Sequence, residues 1–397
     1  MSARLLELVV LNLEKEKRIV LTLDAGGTNF VFSALQGKKQ IVEPYRCPSN
    51  GDNLPKCLDG IVEGFTKIKK QLGKKKIAAI SFAFPGPADY LAGIIGKLNN
   101  MPAFKGGVAL GPMLADEFKV PVFINNDGNL FALGEALFGM LPFVNGLLER
   151  AGNPKRFHNI LGLTFGTGFG AGFVRNGQLW LGDNGASGEI FLMRNRTVSD
   201  TFVEDSVSIR AVKRTYAVAA RILRKEAPEP AQIFKIAVGR KPGNKEAAKK
   251  AFTRMAVAAA DAIANSVTML DSLVVIGGGL SGASEIIIPV IVDEMNGSFE
   301  RLSGERHDRL VQRVFALDDA AQREEFLRGE VTTVKVPRSG REITYDPLKR
   351  TAVGVTRMGT SEAIAMGAYA FAIHELDKEK KKKRHSRKAT PNCSSLV

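Results

Sequence analysis

Histidine, cysteine and tryptophan are scarce in this chain: four, three and one among 397 residues. The cysteines, Cys47, Cys57 and Cys393, are odd in number and scattered, which argues against a disulfide framework and against a cysteine zinc site. The histidines, His158, His307, His374 and His385, lie far apart and show no metal-ligand spacing. No G-x-x-x-x-G-K-[ST] occurs, which excludes a P-loop kinase or GTPase, and no G-x-S-x-G marks a hydrolase nucleophile. No apolar run approaches the roughly 20 residues that cross a bilayer. Residues 1–18 hold a short apolar patch without a small-residue cleavage site, and they are too few for a helix-turn-helix module. A cytoplasmic location without membrane attachment is the expectation.

What is present is a globular composition, 45% hydrophobic and 24% charged, with a net charge of +15. The run DKEKKKKRHSRK at 377–388 contributes six of those fifteen charges and contains no aromatic residue. It reads as a solvated, disordered basic tail over 377–397, and nucleic acid is not an expected partner.

The chain is organised around VLTLDAGGTNFVFSAL at 20–35. A β-branched apolar run ends at Asp24, a glycine turn follows, and a second apolar strand returns. The stretch is either an ordinary hairpin or one whose backbone N–H groups at Gly26, Gly27 and Thr28 hold phosphates, with Asp24 near a metal. LGLTFGTGFGAGFVR at 161–175 restates it: offset by 140 positions, Gly26 meets Gly166, Thr28 meets Gly168 and Asp24 meets Thr164. Two such hairpins in successive halves suggest a duplicated fold clasping one nucleotide.

Between them, a helix is expected over 54–72, a buried strand over 77–84 and a strand over 120–124. That strand runs into NNDGN at 125–129, which opens a helix. Ligands of open α/β sheets sit at such strand ends, so Asp127 is either an N-cap or a base. Residues 145–158 read as a surface loop and 297–350 as a charged insertion without functional assignment. GGGLSG at 277–282 formally matches a dinucleotide fingerprint, but no acidic residue follows in a βαβ unit; its glycines suit close approach of a helix start or a base ring. Together, the two hairpins, Asp24 for Mg²⁺ through water and Asp127 as base satisfy what phosphoryl transfer needs. Asn100, Asn126, Glu189 and Glu204 are candidate partners for a hydroxyl-rich substrate.

DAGGTN at 24–29, FPGP at 84–87, NNMPAF at 99–104, NNDGNLFALGE at 125–135, FGTGFGAGF at 165–173, SGEI at 187–190 and IGGGL at 276–280, in this order, resemble the ROK family of sugar kinases and repressors. The resemblance covers roughly 19–375. It implies a two-domain α/β actin-like ATPase (ribonuclease H-like) fold with a central interdomain cleft. The expected segments are an extension at 1–18, an N-terminal domain at 19–135, a C-terminal domain at 136–360, and a helix at 361–376 closing back on the N-terminal domain.

The resemblance also implies that ATP phosphates lie at Asp24, Gly26, Gly27, Thr28 and Asn29 and at Gly166, Thr167 and Gly168, with adenosine at Gly277, Gly278 and Gly279. The sugar would meet Gly86, Asn100, Asn126, Asp127, Glu189 and Glu204, and Asp127 would deprotonate its hydroxyl. A hexose or amino-hexose kinase using ATP and Mg²⁺, assembled as a dimer or tetramer, is the implied function. The alternative is a catalytically silent sugar-binding or regulatory member. The family often carries a cysteine zinc cluster between the two glutamates. This chain has FLMRNRTVSDTFV there, and Leu192 replaces the family's sugar-contacting histidine, so no zinc is expected.

Overall fold

The computed structural model describes residue 13 and residues 15–25, 28–98 and 101–389, the last seven as backbone only. Gly26, Gly27 and Asn100 therefore lie outside the described residues, as do 390–397. Of the described chain, residues 13–130 with 364–389 form a first compact unit and residues 131–363 a second. The divisions fall inside two helices, a few residues before 135 and a few after 360.

In the first unit, β1 (Ile19–Ala25) pairs antiparallel with β2 (Asn29–Gln36), which continues to β3 (Lys39–Gln40) and β4 (Tyr45–Pro48). The helix Leu54–Leu72 begins where the Asn53 side chain accepts the Lys56 N–H and Pro55 pre-sets the first turn. It ends at Gly73, whose φ of 61° a side chain would strain. Its buried residues, Cys57, Ile61, Gly64, Phe65, Ile68 and Leu72, follow helical spacing and cover the sheet. Gly64 is required there, because a Cβ would lie 2.3 Å from the Phe32 ring.

β5 (Ile77–Ala83) then joins parallel to β1. β6 (Ala88–Asp89), β7 (Ile94–Lys97) and β8 (Lys105–Val108) make a small separate sheet, and β9 (Val122–Asn125) pairs parallel with β5. The order is β3-β2-β1-β5-β9. The C-terminal helix Thr360–Ala389 packs in this unit through Ala368 against Ala83 and Leu130. The Tyr369 hydroxyl accepts the Gly37 N–H at 2.9 Å, and Arg18 pairs with Asp377 at 2.7 Å. The helix runs on to Ala389, so the basic run to residue 388 is helical rather than the disordered tail expected from 377.

The second unit repeats this order. β10 (Asn159–Phe165), β11 (Phe169–Arg175) and β12 (Gln178–Leu179) form a meander. The 26-residue helix Lys245–Leu270 then leads to β13 (Leu273–Gly277), parallel to β10. β14 (Ser298–Glu300) and β15 (Arg306–Asp308) form one hairpin, and β17 (Thr332–Lys335) and β18 (Glu342–Tyr345) another. β16 (Arg313–Ala316) and β19 (Arg350–Val355) complete the sheet β12-β11-β10-β13-β19-β16. Buried alanines line much of the long helix and let it pack closely against helices Ser284–Met295 and Ile209–Ala220.

Two further expectations are corrected. Residues 145–158 are not all loop, since the helix Met140–Arg150 occupies their start. The stretch Asp127–Arg150 is long and apolar enough to cross a membrane, contrary to the reading that no such run exists. It forms two helices, Asp127–Leu137 and Met140–Arg150, and most of it is buried inside the protein.

Candidate active site

In the first unit the predicted residues gather at the carboxyl ends of three parallel strands. Asp24 of β1 is in register with Ala83 of β5, and Ala83 with Asn125 of β9. Two strand spacings, about 10 Å, therefore separate the backbones of Asp24 and Asn125. The buried run IVLTL ends at Asp24, which is exposed, as is Thr28 beyond the turn; Asn29 starts β2 half-buried. The turn is tied down where the Thr28 carbonyl accepts the Ser49 N–H at 3.0 Å. Gly86, exposed, follows β5.

After β9 a chain of local hydrogen bonds shapes the helix start. Buried Asn125 accepts through Oδ1 from the Asn126 N–H at 2.8 Å and from the Asn129 amide at 3.1 Å. The Gly128 N–H is shared between Asn126 Oδ1 at 2.7 Å and Asp127 Oδ1 at 2.8 Å. Asp127 thus sits in the first turn of the helix Asp127–Leu137, where the helix dipole favours negative charge. Its side chain is reachable by solvent yet hemmed in by protein. Desolvation raises its carboxyl above the ordinary carboxylate range, opposed by the Gly128 N–H and its own backbone. An accessible carboxylate with a raised proton affinity is suited to accept a proton from a substrate hydroxyl.

In the second unit, Thr164 of β10 is in register with Gly170 across the hairpin and with Gly277 of β13. The turn closes with the Gly166 N–H donating to the Gly168 carbonyl at 3.0 Å, and Thr167 is exposed at its tip. Glu204, expected beside a sugar, lies on this hairpin: its Oε2 accepts the Phe169 N–H at 2.9 Å. A Cβ on Gly168 would meet the same oxygen at 2.5 Å. Glu189 is exposed where the chain leaves Gly188, itself packed against the Ala171 carbonyl of β11.

Gly277 and Gly278, expected at adenosine, are each packed tightly against protein on the side a Cβ would take. A Cβ on Gly277 would lie 2.6 Å from the Phe131 ring, and one on Gly278 2.3 Å from the Phe165 carbonyl oxygen. The Gly278 N–H also donates to Thr360 Oγ1 at 2.7 Å. Only Gly279 of the three faces open space. A cavity of about 660 Å³ elsewhere in the unit, lined by Asp308, Gln312, Glu330 and Lys349, contains none of the predicted residues.

Two residues that the sequence reading missed border the second hairpin. Arg210 lies in the first turn of the helix Ile209–Ala220, 3.5 Å from Glu204, and the Ile209 N–H donates to the Gly166 carbonyl at 2.9 Å. Thr360 fixes Gly278. The signal for the first was an N-cap serine, Ser208, placing a basic residue just inside a helix start.

The segment between Glu189 and Glu204 is closed by hydrogen bonds. Asn195, 2% exposed, donates to Ser206 Oγ at 2.9 Å and to the Phe202 carbonyl at 3.3 Å, and accepts from Thr197 Oγ1 at 2.8 Å. Leu192 is 61% exposed.

A family model described as the ROK family matches residues 20–320. The chain belongs to the ROK family. It is 34% identical over 170 residues to an N-acetyl-D-glucosamine kinase of Vibrio parahaemolyticus, covering 42% of this chain and 50% of that one. It is 31% identical over 176 residues to a glucokinase of Halalkalibacterium halodurans, covering 42% and 47%. The chain thus spans about half the length of the curated relatives it matches. The crystal structure of a glucokinase from Parabacteroides distasonis matches with a TM-score of 0.82 and 52% identity, over 91% of this chain and 99% of that one. This ROK chain accordingly has the mixed α/β actin-like ATPase fold.

Proposed function

We propose that the chain is an ATP-dependent kinase that phosphorylates a hydroxyl, O6, of a hexose or amino-hexose. The observation that carries this reading is Asp127, a solvent-reachable carboxylate in the first turn of its helix and at the same strand-end edge as Asp24. The names of the relatives, glucokinase and N-acetyl-D-glucosamine kinase, support the substrate class.

Asp127 takes the proton of the attacking sugar hydroxyl as its oxygen bonds to the γ-phosphorus, the bond to the β,γ-bridging oxygen breaks, and ADP leaves. Gly86, Asn100, Asn126 and Glu189 hold the sugar hydroxyls. Thr28, Asn29 and the backbone of Gly26 and Gly27 bind phosphate oxygens, as do Gly166, Thr167 and Gly168. Adenosine rests at Gly279 beside Gly277 and Gly278. Glu204 orients the second hairpin through the Phe169 N–H. Asp24, an exposed hard oxygen donor, fits Mg²⁺ held through water; when bound, the ion neutralises phosphate charge. Zinc has no role in this reading. The enzyme acts in the cytoplasm, with neither membrane nor nucleic acid as partner.

The test is sugar-dependent ADP release with ATP, Mg²⁺ and a panel of glucose, mannose, N-acetylglucosamine and N-acetylmannosamine. Turnover on at least one sugar is expected. Leu192 in place of the family histidine favours a second reading, a sugar-binding member without catalysis; tight sugar binding with no ADP release would select it.

A further inference from the structure

The charged stretch 297–350 contains a hairpin that the sequence left without a role. β17 and β18 pair antiparallel, with Val334 opposite Ile343 and Thr332 opposite Tyr345. Among the described residues they form a sheet of two strands, and all eight strand residues are exposed. Strand alternation sorts them. Val334, Ile343 and Tyr345, exposed by 37%, 38% and 51%, share one face with Thr332; Thr333, Lys335, Glu342 and Thr344 share the other.

The root of the hairpin is firmly held. Arg350, fully buried, donates to Asp346 at 2.6 Å, and Asn153 and the Glu330 N–H donate to the same carboxylate at 3.2 and 3.1 Å. Beyond that root both faces of the two strands stand exposed. A bare two-stranded hairpin is marginal in water unless a face is covered, and an open apolar face with free edges invites association.

The order of residues along the apolar face indicates what covers it. Glu330, exposed, stands at the root two residues before Thr332; Arg341, exposed, stands toward the tip two residues before Ile343. Acid, apolar row and base therefore follow one another from root to tip. Turned about a two-fold axis, that pattern is complementary to itself, which is what an isologous contact requires. The hairpin also lies beyond residues 20–320, the part matched by the family model.

We propose that the β17–β18 hairpin is an interface between two copies of this chain. The apolar faces stack with the hairpins antiparallel, and Arg341 near the tip of each meets Glu330 at the root of the other.

Light scattering and sedimentation of the full chain test this independently of any kinase activity. The wild type is expected at twice the chain mass or a higher multiple. Ile343→Glu should halve that mass while circular dichroism and the melting temperature show a folded protein. Glu330→Arg and Arg341→Glu should each weaken association about tenfold, and the double variant should restore it. A monomeric wild type would leave the face to a different partner and overturn the proposal. So would an assembly that Ile343→Glu leaves unchanged, or a double variant no tighter than the single ones.

Discussion

The sheets β3-β2-β1-β5-β9 and β12-β11-β10-β13-β19 run their strands in the same order, and Asp24 and Thr164 occupy the same place, one pair before the turn, on β1 and β10. Asp24 is exposed, whereas Thr164 is 8% exposed. The first sheet goes on to a second carboxylate, Asp127, past β9. The second sheet reaches a carboxylate only through a loop, and Glu204 is already engaged by the Phe169 N–H and faced by Arg210. One scaffold thus appears twice, once carrying acids at its strand ends and once carrying neutral groups and backbone. The difference teaches that the proposed proton and metal chemistry belongs to the first unit, where Asp24 and Asp127 stand at the strand ends.

The strongest way to break this contrast is Asp127→Asn. Sugar-dependent ADP release should fall about 10²–10⁴-fold, the usual worth of a general base, while sugar affinity measured by calorimetry changes little. The same residue sets a pH dependence. Burial favours its protonated form, and the base must be ionised, so activity should be lost as pH falls through a pKa above the ordinary aspartate value of about 3.9. A pH profile whose acid limb lies at or below that value would refute the assignment.

Next in size is Asp24→Thr, which gives the first hairpin the residue of the second. Turnover should drop by about 10²-fold, with the Mg²⁺ dependence blunted, because several kcal/mol of charge stabilisation ride on the ion. An unchanged Mg²⁺ titration would make the two hairpins equivalent after all.

Gly278→Ala and Gly279→Ala separate packing from binding in the second unit. Gly278 has a φ of 85° and a carbonyl oxygen 2.3 Å from its would-be Cβ, so alanine should destabilise by roughly 2–4 kcal/mol in a denaturant melt. Gly279 faces open space, so alanine there should leave stability within about 0.5 kcal/mol and raise KM for ATP instead. Asn195→Ala is expected to remove about 1–3 kcal/mol of stability, since Ser206 and Thr197 lose their buried partner, with a modest rise in KM for the sugar. No change in melting temperature would show that the hydrogen bonds around Asn195 do not hold the segment between Glu189 and Glu204.

Much of this was legible in the chain itself. β1, β2, β10 and β11 lie where apolar runs flank glycine turns, and the helix Leu54–Leu72 ends where Gly73 ends the pattern. Local signals were enough there because burial and turn chemistry agree. They failed where tertiary packing decides. The packing of Gly277 and Gly278 against Phe131 and Phe165, over a hundred positions away, leaves no local mark in the sequence. Nothing near Glu204 in sequence announces its hydrogen bond from the Phe169 N–H, 35 residues distant. The helix over the basic run to 388 was missed because a charge run carries no apolar period, and the pairing of β17 with β18 across an exposed turn left no core pattern to read.

The first unit is assembled from both ends of the chain, because the helix beginning at Thr360 supplies Tyr369 to Gly37 and Asp377 to Arg18. During synthesis, residues 131–363 can complete their sheet as soon as they emerge. Residues 13–130 must instead wait for 364–389, with Ala83 and Leu130 uncovered until Ala368 arrives. The support under Asp24 and Asp127 is therefore completed later than the second unit's sheet, and a chain stopped short of residue 364 carries both acids on an unfinished support.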